Sequence, residues 1–224
     1  MSLILNIDTA IDKATVSISK DGKILAYAVN EELKDQGAFL QPAIKTIAAT
    51  AGINLEQLDA VAVVAGPGSY TGLRVGMASA KGLCFALNKP LITVGTLQLL
   101  ASQAIYLSGA ANKQILFCPM IDARRMEVFT AVYNISLDEV IIPCAMILNE
   151  LSYGNVLLNN EIIFFGNGMA KWKNIATHPN ARFLQIQSNP LFMSELSFKS
   201  FVNGHFADTA YVAPMYIKEF YNNN

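Results

Sequence analysis

Apolar and polar positions alternate or cluster along this chain in a way that spells out most of its elements. Leu3 to Asp8 is a short apolar run of the kind that fits a central strand. Ala14 to Ser19 sets Val16 and Ile18 against Ser17 and Ser19, Asp21-Gly22 makes a turn, and Ile24 to Val29 continues the pattern. Two strands around an Asp-Gly predict a β-hairpin, so three antiparallel strands open the chain. Ala38 to Ala51 is alanine-rich and ends at Gly52, which predicts a helix with a glycine stop and with Pro42 in its first turns. Val61 to Ala65 reads as a buried strand, Gly66 to Thr71 as a glycine-rich turn, and the residues on to Leu87 as a helix. Leu91 to Val94 is a further strand, and Thr96 caps a helix that runs to Leu107.

The second half begins again near Ile115. Leu116 to Asp122 is an apolar run ending in aspartate, as Leu3 to Asp8 is. Strands follow at Val128 to Tyr133, Glu139 to Ile142 and Ile162 to Phe165, then Gly166-Asn167-Gly168 with a short helix holding Trp172, and a helix from Met193 to Phe201. There is no fine-grained repeat, but the echo of strand, aspartate and hairpin points to two related lobes. The β-β-β-α-β-α-β-α order of the first half predicts an α/β protein with helices on both faces of a mixed sheet.

Composition narrows the class. Of 224 residues, 53% are hydrophobic and only 15% charged, the opposite of a disordered balance. The mean hydropathy of +0.35 raises either a membrane protein or a soluble one that hides apolar surface against a partner. The longest uncharged stretch, between Lys89 and Lys113, is interrupted by Pro90, Gly95, Gln98, Ser102, Gln103 and Asn112, too polar for a spanning helix. No Lys or Arg precedes the N-terminal apolar run, so no signal peptide is expected, and the reading is a soluble, cytoplasmic protein with no membrane partner. Cys84, Cys118 and Cys144 lie far apart in apolar contexts and read as buried free thiols. The net charge is −1, with Arg124-Arg125 the only adjacent basic pair, so the chain alone is expected to bind RNA poorly and to share any RNA contact with a partner.

The most informative segment runs from Gly66 to Gly76. It follows a strand and opens a helix, where backbone N–H groups hold anions. Its spacing fits neither common nucleotide loop. A Walker loop needs Gly-Lys-Ser/Thr where Gly72 is followed by Leu73 and Arg74, and the dinucleotide pattern finds Thr71 in place of its last glycine. A tight turn with Ser69 or Thr71 capping the helix is the simpler account. In that helix Gly72, Gly76 and Ala80 recur every fourth residue, as do Ala78, Gly82 and Ala86. Each interior glycine costs roughly 0.8–1 kcal/mol relative to alanine, so close packing must offset it. The helix carries only Arg74 and Lys81 as charges, and Ala38 to Ala51 only Lys45. Helices this apolar are expected to pack on the sheet and also against another chain, or else beneath the second lobe.

Catalytic constellations are missing. His178 and His205 have no partner at ligand spacing, so no metal is expected, and no Gly-x-Ser-x-Gly elbow or base beside Ser69 marks a nucleophile.

Ile7-Asp8-Thr9-Ala10, the segment from Gly66 to Gly76 with Ala80-Lys81-Gly82-Leu83, Ile121 to Val128, and Ala213-Pro214-Met215-Tyr216-Ile217 together resemble the TsaB (YeaZ) family. The match is in order over the first hundred residues and holds only in outline from about Ser136 to Asp208. The resemblance implies a two-lobed actin-like ATPase (ASKHA, RNase H-like) fold with mixed sheets. Residues 1–108 with 205–224 would form a first, partner-binding lobe, and 109–204 a second, degenerate one.

It also implies an inactive paralogue of TsaD, the metal-dependent subunit that transfers threonylcarbamoyl to adenosine 37 of tRNA. TsaB binds TsaD and TsaE joins. The chain would meet tRNA only through that complex and would pair with a second copy when alone. Carried over, the binding helices are Ala38–Ala51 and Gly72–Leu87, with Ala38, Leu40, Ile44, Ile47, Ala48, Gly72, Leu73, Arg74, Gly76, Met77, Ala80 and Leu83 as contact residues and Gly76→Arg as the disrupting change. Asp8, Thr9 and Asp122 stand where actin-like ATPases hold Mg²⁺ and phosphate, but the neighbouring glycines that admit nucleotide are absent, so they read as remnants. Asp122 would pair with Arg124 or Arg125. No cofactor is implied for the chain itself, with ATP or ADP at a joint surface with TsaD left open. One departure is Asp35-Gln36-Gly37, where many family members have a histidine. A small-molecule kinase or a glycopeptidase-like hydrolase of the same fold is the alternative, though a kinase should carry Asp-x-Gly phosphate loops.

Overall fold

The computed structural model describes residues 1–11, 13–30, 36–109, 114–186 and 189–218; Asp35, part of the noted departure, lies outside them. Among the described residues the apolar runs settle into ten strands and six α-helices. In chain order the elements are β1 (Leu3–Asp8), β2 (Thr15–Lys20), β3 (Lys23–Val29), α1 (Gln36–Ala51), β4 (Ala60–Gly66), α2 (Tyr70–Leu87), β5 (Leu91–Gly95) and α3 (Thr96–Ser108). The second half adds β6 (Ile115–Asp122), β7 (Glu127–Tyr133), β8 (Glu139–Ile147), α4 (Gly154–Leu157), β9 (Glu161–Phe165), α5 (Met169–Lys173), β10 (Ala181–Phe183) and α6 (Pro190–Val202). Among the described residues no helix is long and apolar enough to cross a membrane.

The strands form two five-stranded mixed sheets, ordered β3-β2-β1-β4-β5 and β10-β9-β6-β7-β8. In the first, β1 pairs antiparallel with β2 and parallel with β4. In the second, β6 pairs antiparallel with β7 and parallel with β9. The pairings repeat strand for strand, so the echo in the sequence is a duplicated sheet, and the expected α/β class with mixed sheets is what the chain adopts. The Asp21-Gly22 hairpin forms with both residues at positive φ, 48° and 78°, the geometry of a tight turn whose twist matches its strands.

Several elements depart from the pattern reading, and α4 and β10 form where it placed none. β8 continues five residues beyond Ile142 through Pro143, because it is the outer strand of its sheet and an outer edge needs no N–H from proline. Thr96 opens α3 as expected, but among the described residues its buried hydroxyl makes no hydrogen bond, so it is not a side-chain cap.

The chain divides into two compact units. The first holds Met1–Thr96 together with the segment containing α6 and running to Met215; the second holds the chain from Leu97 through β10 and the end from Tyr216. The division differs from the expected lobes at both helices. α6, expected in the second lobe, packs on β1, β2, β3 and β5, and α3, expected in the first, groups with the second unit. Residues 219–224 of the expected first lobe lie outside the described residues.

In the first unit the two faces of the sheet are different. Leu5, Ile7, Val16, Ile18, Val61 and Val63 form one apolar core with Leu40, Ile44 and Ile47 of α1 and Met77 and Ala80 of α2. On the opposite face Asn6 meets α6, where its side chain accepts from Ser197 Oγ and lies 3.5 Å from Ser194 Oγ. Ser17 and Ser19 complete this buried polar cluster. The second unit is centred on Leu116, Cys118, Phe164 and Trp172, with Tyr153 set edge-on to both aromatic rings.

Candidate functional site

β1 ends at Asp8, and the backbone that leaves it runs straight into the start of α2. Ala10 accepts a hydrogen bond from the Ser69 N–H at 2.7 Å, and Thr9 Oγ1 donates to the Gly72 carbonyl at 2.7 Å. Three glycines make this approach feasible. A Cβ added at Gly68 would overlap the Ala10 carbonyl, one at Gly72 the Thr9 carbonyl, and one at Gly76 the Thr9 hydroxyl. The glycine spacing that resembled an anion loop is thus filled by the chain's own residues. Ser69, not Thr71, caps α2, accepting from the Gly72 N–H at 3.3 Å. Gln36 closes the remaining side. Its amide donates to the Ile11 carbonyl at 3.2 Å, and its Oε1 abuts the place where a Gly72 side chain would stand. The sequence pattern carries no signal for that role, because the contact joins residues with no regular spacing between them.

Asp8 is 5% exposed, and its Oδ1 accepts from the Ala10 N–H at 3.0 Å. Burial pushes its pKa up from 3.8 to about 6, and the single backbone hydrogen bond offsets only part of that cost. Thr9 is fully buried. Among the described residues no group of three or more His, Cys, Asp or Glu side chains could hold a metal ion.

The second unit repeats the arrangement in a looser form. Gly166, at φ +100°, and Gly168 press against Met120 to Asp122, where a Cβ on either would overlap neighbouring atoms. The Asp122 N–H donates to Asn167 Oδ1 at 2.9 Å. Contrary to the expectation from sequence, Asp122 pairs with neither arginine side chain. Lys171 Nζ donates to its Oδ1 at 2.8 Å, and Arg124 supplies only its backbone N–H. Burial raises the Asp122 pKa, but the Lys171 hydrogen bond, the Arg124 N–H and the lysine charge together hold it below the usual carboxylate range. Lys171 is 49 residues away along the chain, too far for any local pattern to mark it.

The helix faces also differ from the expectation. Leu40, Ile44, Ile47 and Ala48 of α1, and Gly72, Leu73, Gly76, Met77 and Ala80 of α2, are buried within this chain and are not a surface for another. Leu83 is half-buried against the same core. The physical reason is that the first small-residue stripe meets the Thr9–Ala10 backbone, so the close approach it allows is intramolecular. Gly76→Arg would therefore strike the fold itself.

The second stripe behaves differently. Ala78, Gly82 and Ala86 are exposed, and a Cβ at Gly82 would meet nothing within 4 Å. Phe85 beside them is 88% exposed. Lys81, one turn earlier, donates to the carbonyls of Ala210 and Val212, which holds the 87%-exposed Tyr211 next to this helix. Arg74 is exposed on α2 with its guanidinium 3.9 Å above the Tyr70 ring, and Ala38, Lys45 and Ala49 are exposed on α1, which touches α2. Of the residues expected to bind a partner, only Ala38 and Arg74 thus lie on an open face.

Residues 36–199 match the family described as "TsaD: tRNA N6-adenosine threonylcarbamoyltransferase". The chain is 36% identical over 192 residues to the tRNA threonylcarbamoyladenosine biosynthesis protein TsaB of Buchnera aphidicola, a match covering 82% of this chain and 85% of that protein. It is 36% identical over 133 residues to the Escherichia coli protein of the same description, covering 58% of this chain and 54% of the relative, so it spans about half of that relative's length. In structure it resembles a Pseudomonas aeruginosa protein with similarity to peptidase YEAZ, with a TM-score of 0.85, 23% identity, and coverage of 97% of this chain and all of that one. At that identity the likeness speaks for the fold.

Proposed function

This chain belongs to the TsaB (YeaZ) family of tRNA threonylcarbamoyladenosine biosynthesis proteins, and from that premise we propose that it is a non-catalytic partner subunit. In this reading it binds and supports a TsaD-type subunit that transfers threonylcarbamoyl to adenosine 37 of tRNA, with a TsaE-type ATPase joining the assembly. The observation that carries the proposal is the closure of the β1–α2 junction. A phosphate group needs backbone N–H groups facing open space. Here the Ser69 N–H is spent on Ala10, and even a methyl group would overlap at Gly68, Gly72 or Gly76. The kinase and hydrolase alternatives both need an open site at this place.

The docking face in this proposal is the outward stripe of α2, from Arg74 through Ala78 and Gly82 to Phe85, with the exposed side of α1. A small-residue stripe lets a second helix come close, and an exposed aromatic beside it supplies the buried anchor that protein interfaces favour. The same face would serve a second copy of the chain when the partner is absent.

The test is co-purification with the TsaD-type and TsaE-type proteins of the same cell, followed by tRNA modification with and without this chain. Gly82→Arg and Phe85→Asp should keep the wild-type melting temperature and lose both co-purification and modification. Modification at the wild-type rate with the chain left out would defeat the proposal.

A further inference from the structure

The hairpin that follows Asp122 places two arginines in a conformation their side chains disfavour. Arg124 and Arg125 have φ of 68° and 44°. Consecutive non-glycine residues in the left-handed region cost on the order of 1 kcal/mol each, and such strain concentrates at functional sites. The turn holding them is pinned from four sides. Ala123 N–H donates to the Glu127 carbonyl, Glu127 N–H to the Arg124 carbonyl, Leu148 N–H to the Met126 carbonyl, and Arg124 N–H to Asp122 Oδ1. Both arginines are exposed.

The charge around them is already allotted. Asp122 and Glu127, the two carboxylates of the hairpin, are taken by lysines from other elements, Lys171 at 2.8 Å and Lys218 at 2.8 Å. Neither guanidinium has an ion-pair or hydrogen-bond partner among the described residues. In a chain whose net charge is −1, this turn therefore presents, on a pinned backbone, two guanidinium groups that are uncompensated among the described residues.

We propose that the β6–β7 turn is a contact point for the phosphate backbone of RNA, through Arg124 and Arg125. This rests on the reading above, in which the RNA is the tRNA bound by the whole complex. A planar guanidinium takes phosphate oxygens two at a time, and a rigid turn gives up little freedom when it does so. The other basic residues are scattered, so the turn adds a few contacts to a surface supplied by the complex and does not form an RNA site by itself.

The experiment measures tRNA binding by the reconstituted complex across a salt series, with the wild type, Arg124→Ala/Arg125→Ala and Arg124→Lys/Arg125→Lys. Removing one phosphate-binding side chain should lower the slope of log affinity against log salt by about 0.7–0.9, so the double alanine variant should have a slope shallower by about 1.5. Its affinity at low salt should fall several-fold, while it still co-purifies with its protein partners. The lysine variant should hold most of the slope. If slope and affinity match the wild type in a complex that assembles and modifies tRNA, the contact is refuted and the partner-subunit reading stands. If assembly fails instead, the arginines face an acidic protein surface and the RNA proposal is wrong. If the wild-type chain does not join the complex at all, both readings fall.

Discussion

At Gly76 a methyl group has nowhere to go, and at Gly82 it meets open space. The two residues lie six apart on one helix, and that contrast decides what each does. Gly76→Ala should destabilise the protein by about 1–3 kcal/mol through forced displacement of Thr9, whereas Gly82→Ala should be neutral or gain up to about 1 kcal/mol of helix propensity. Urea denaturation of the two variants checks this, and equal stabilities would contradict the packing described. Asp8 makes a second prediction at this scale. Its pKa is 3.8 in the unfolded chain and about 6 in the folded one, so the native state holds the extra proton between those values. Its stabilising contribution is complete below pH 3.8 and is lost as the pH rises through 6. The buried charge then costs on the order of 3 kcal/mol. Asp8→Asn should raise the melting temperature near neutral pH and match the wild type in acid. A variant no more stable than wild type at neutral pH would mean that Asp8 is not penalised by burial.

Among the elements, α6 meets its sheet through a buried polar network as well as apolar side chains. Asn6, Ser17, Ser19, Ser194 and Ser197 form a satisfied network between the first sheet and this helix, all of it buried. Such a network gives little net stability but fixes register, because every shifted arrangement leaves buried groups unpaired. Asn6→Leu should therefore cost about 1–3 kcal/mol or more, and should raise amide exchange in 190–202 before it does so in α2. Exchange rising equally in both helices would show that α6 is not a separate unit of stability. For α2, the inward stripe explains why so many glycines are tolerated. Their helix-propensity cost is offset by the Thr9–Ala10 contacts, and only Gly82 is left for a partner to exploit.

For the whole molecule, α6 lies after the second sheet in sequence and on the first sheet in space. The first unit is consequently not continuous along the chain. A fragment ending at residue 108 would expose the face of the sheet carrying Ile4 and Asn6. It should bind a hydrophobic dye and lack a sharp thermal transition, and adding residues 189–215 through a linker should restore one. A cooperative transition in the short fragment would show that α6 is dispensable. The chain's positive mean hydropathy also finds its account at this scale. Many of its apolar residues fill the core of one unit or the other, and others lie on exposed positions such as Phe85 and Tyr211.

Local order was written in the residues themselves. The strand at Leu3–Asp8, the Asp21-Gly22 hairpin, the glycine turn with a cap at Ser69 or Thr71 and the repeat of the plan after Ile115 all follow from period, turn chemistry and capping, which act over a few residues. The longer helices were legible too, though not the four-residue α4, and so was the presence of two small-residue stripes. Which stripe faces inward was not legible, because both have the same spacing and only the position of Thr9–Ala10 distinguishes them. The same holds for Lys171 at Asp122, Lys218 at Glu127 and Gln36 at Ile11. Each joins residues from distant parts of the chain through one side chain, and such contacts leave no periodic trace. Packing between elements, set by where a whole sheet presents its edge and its strand ends, decided those.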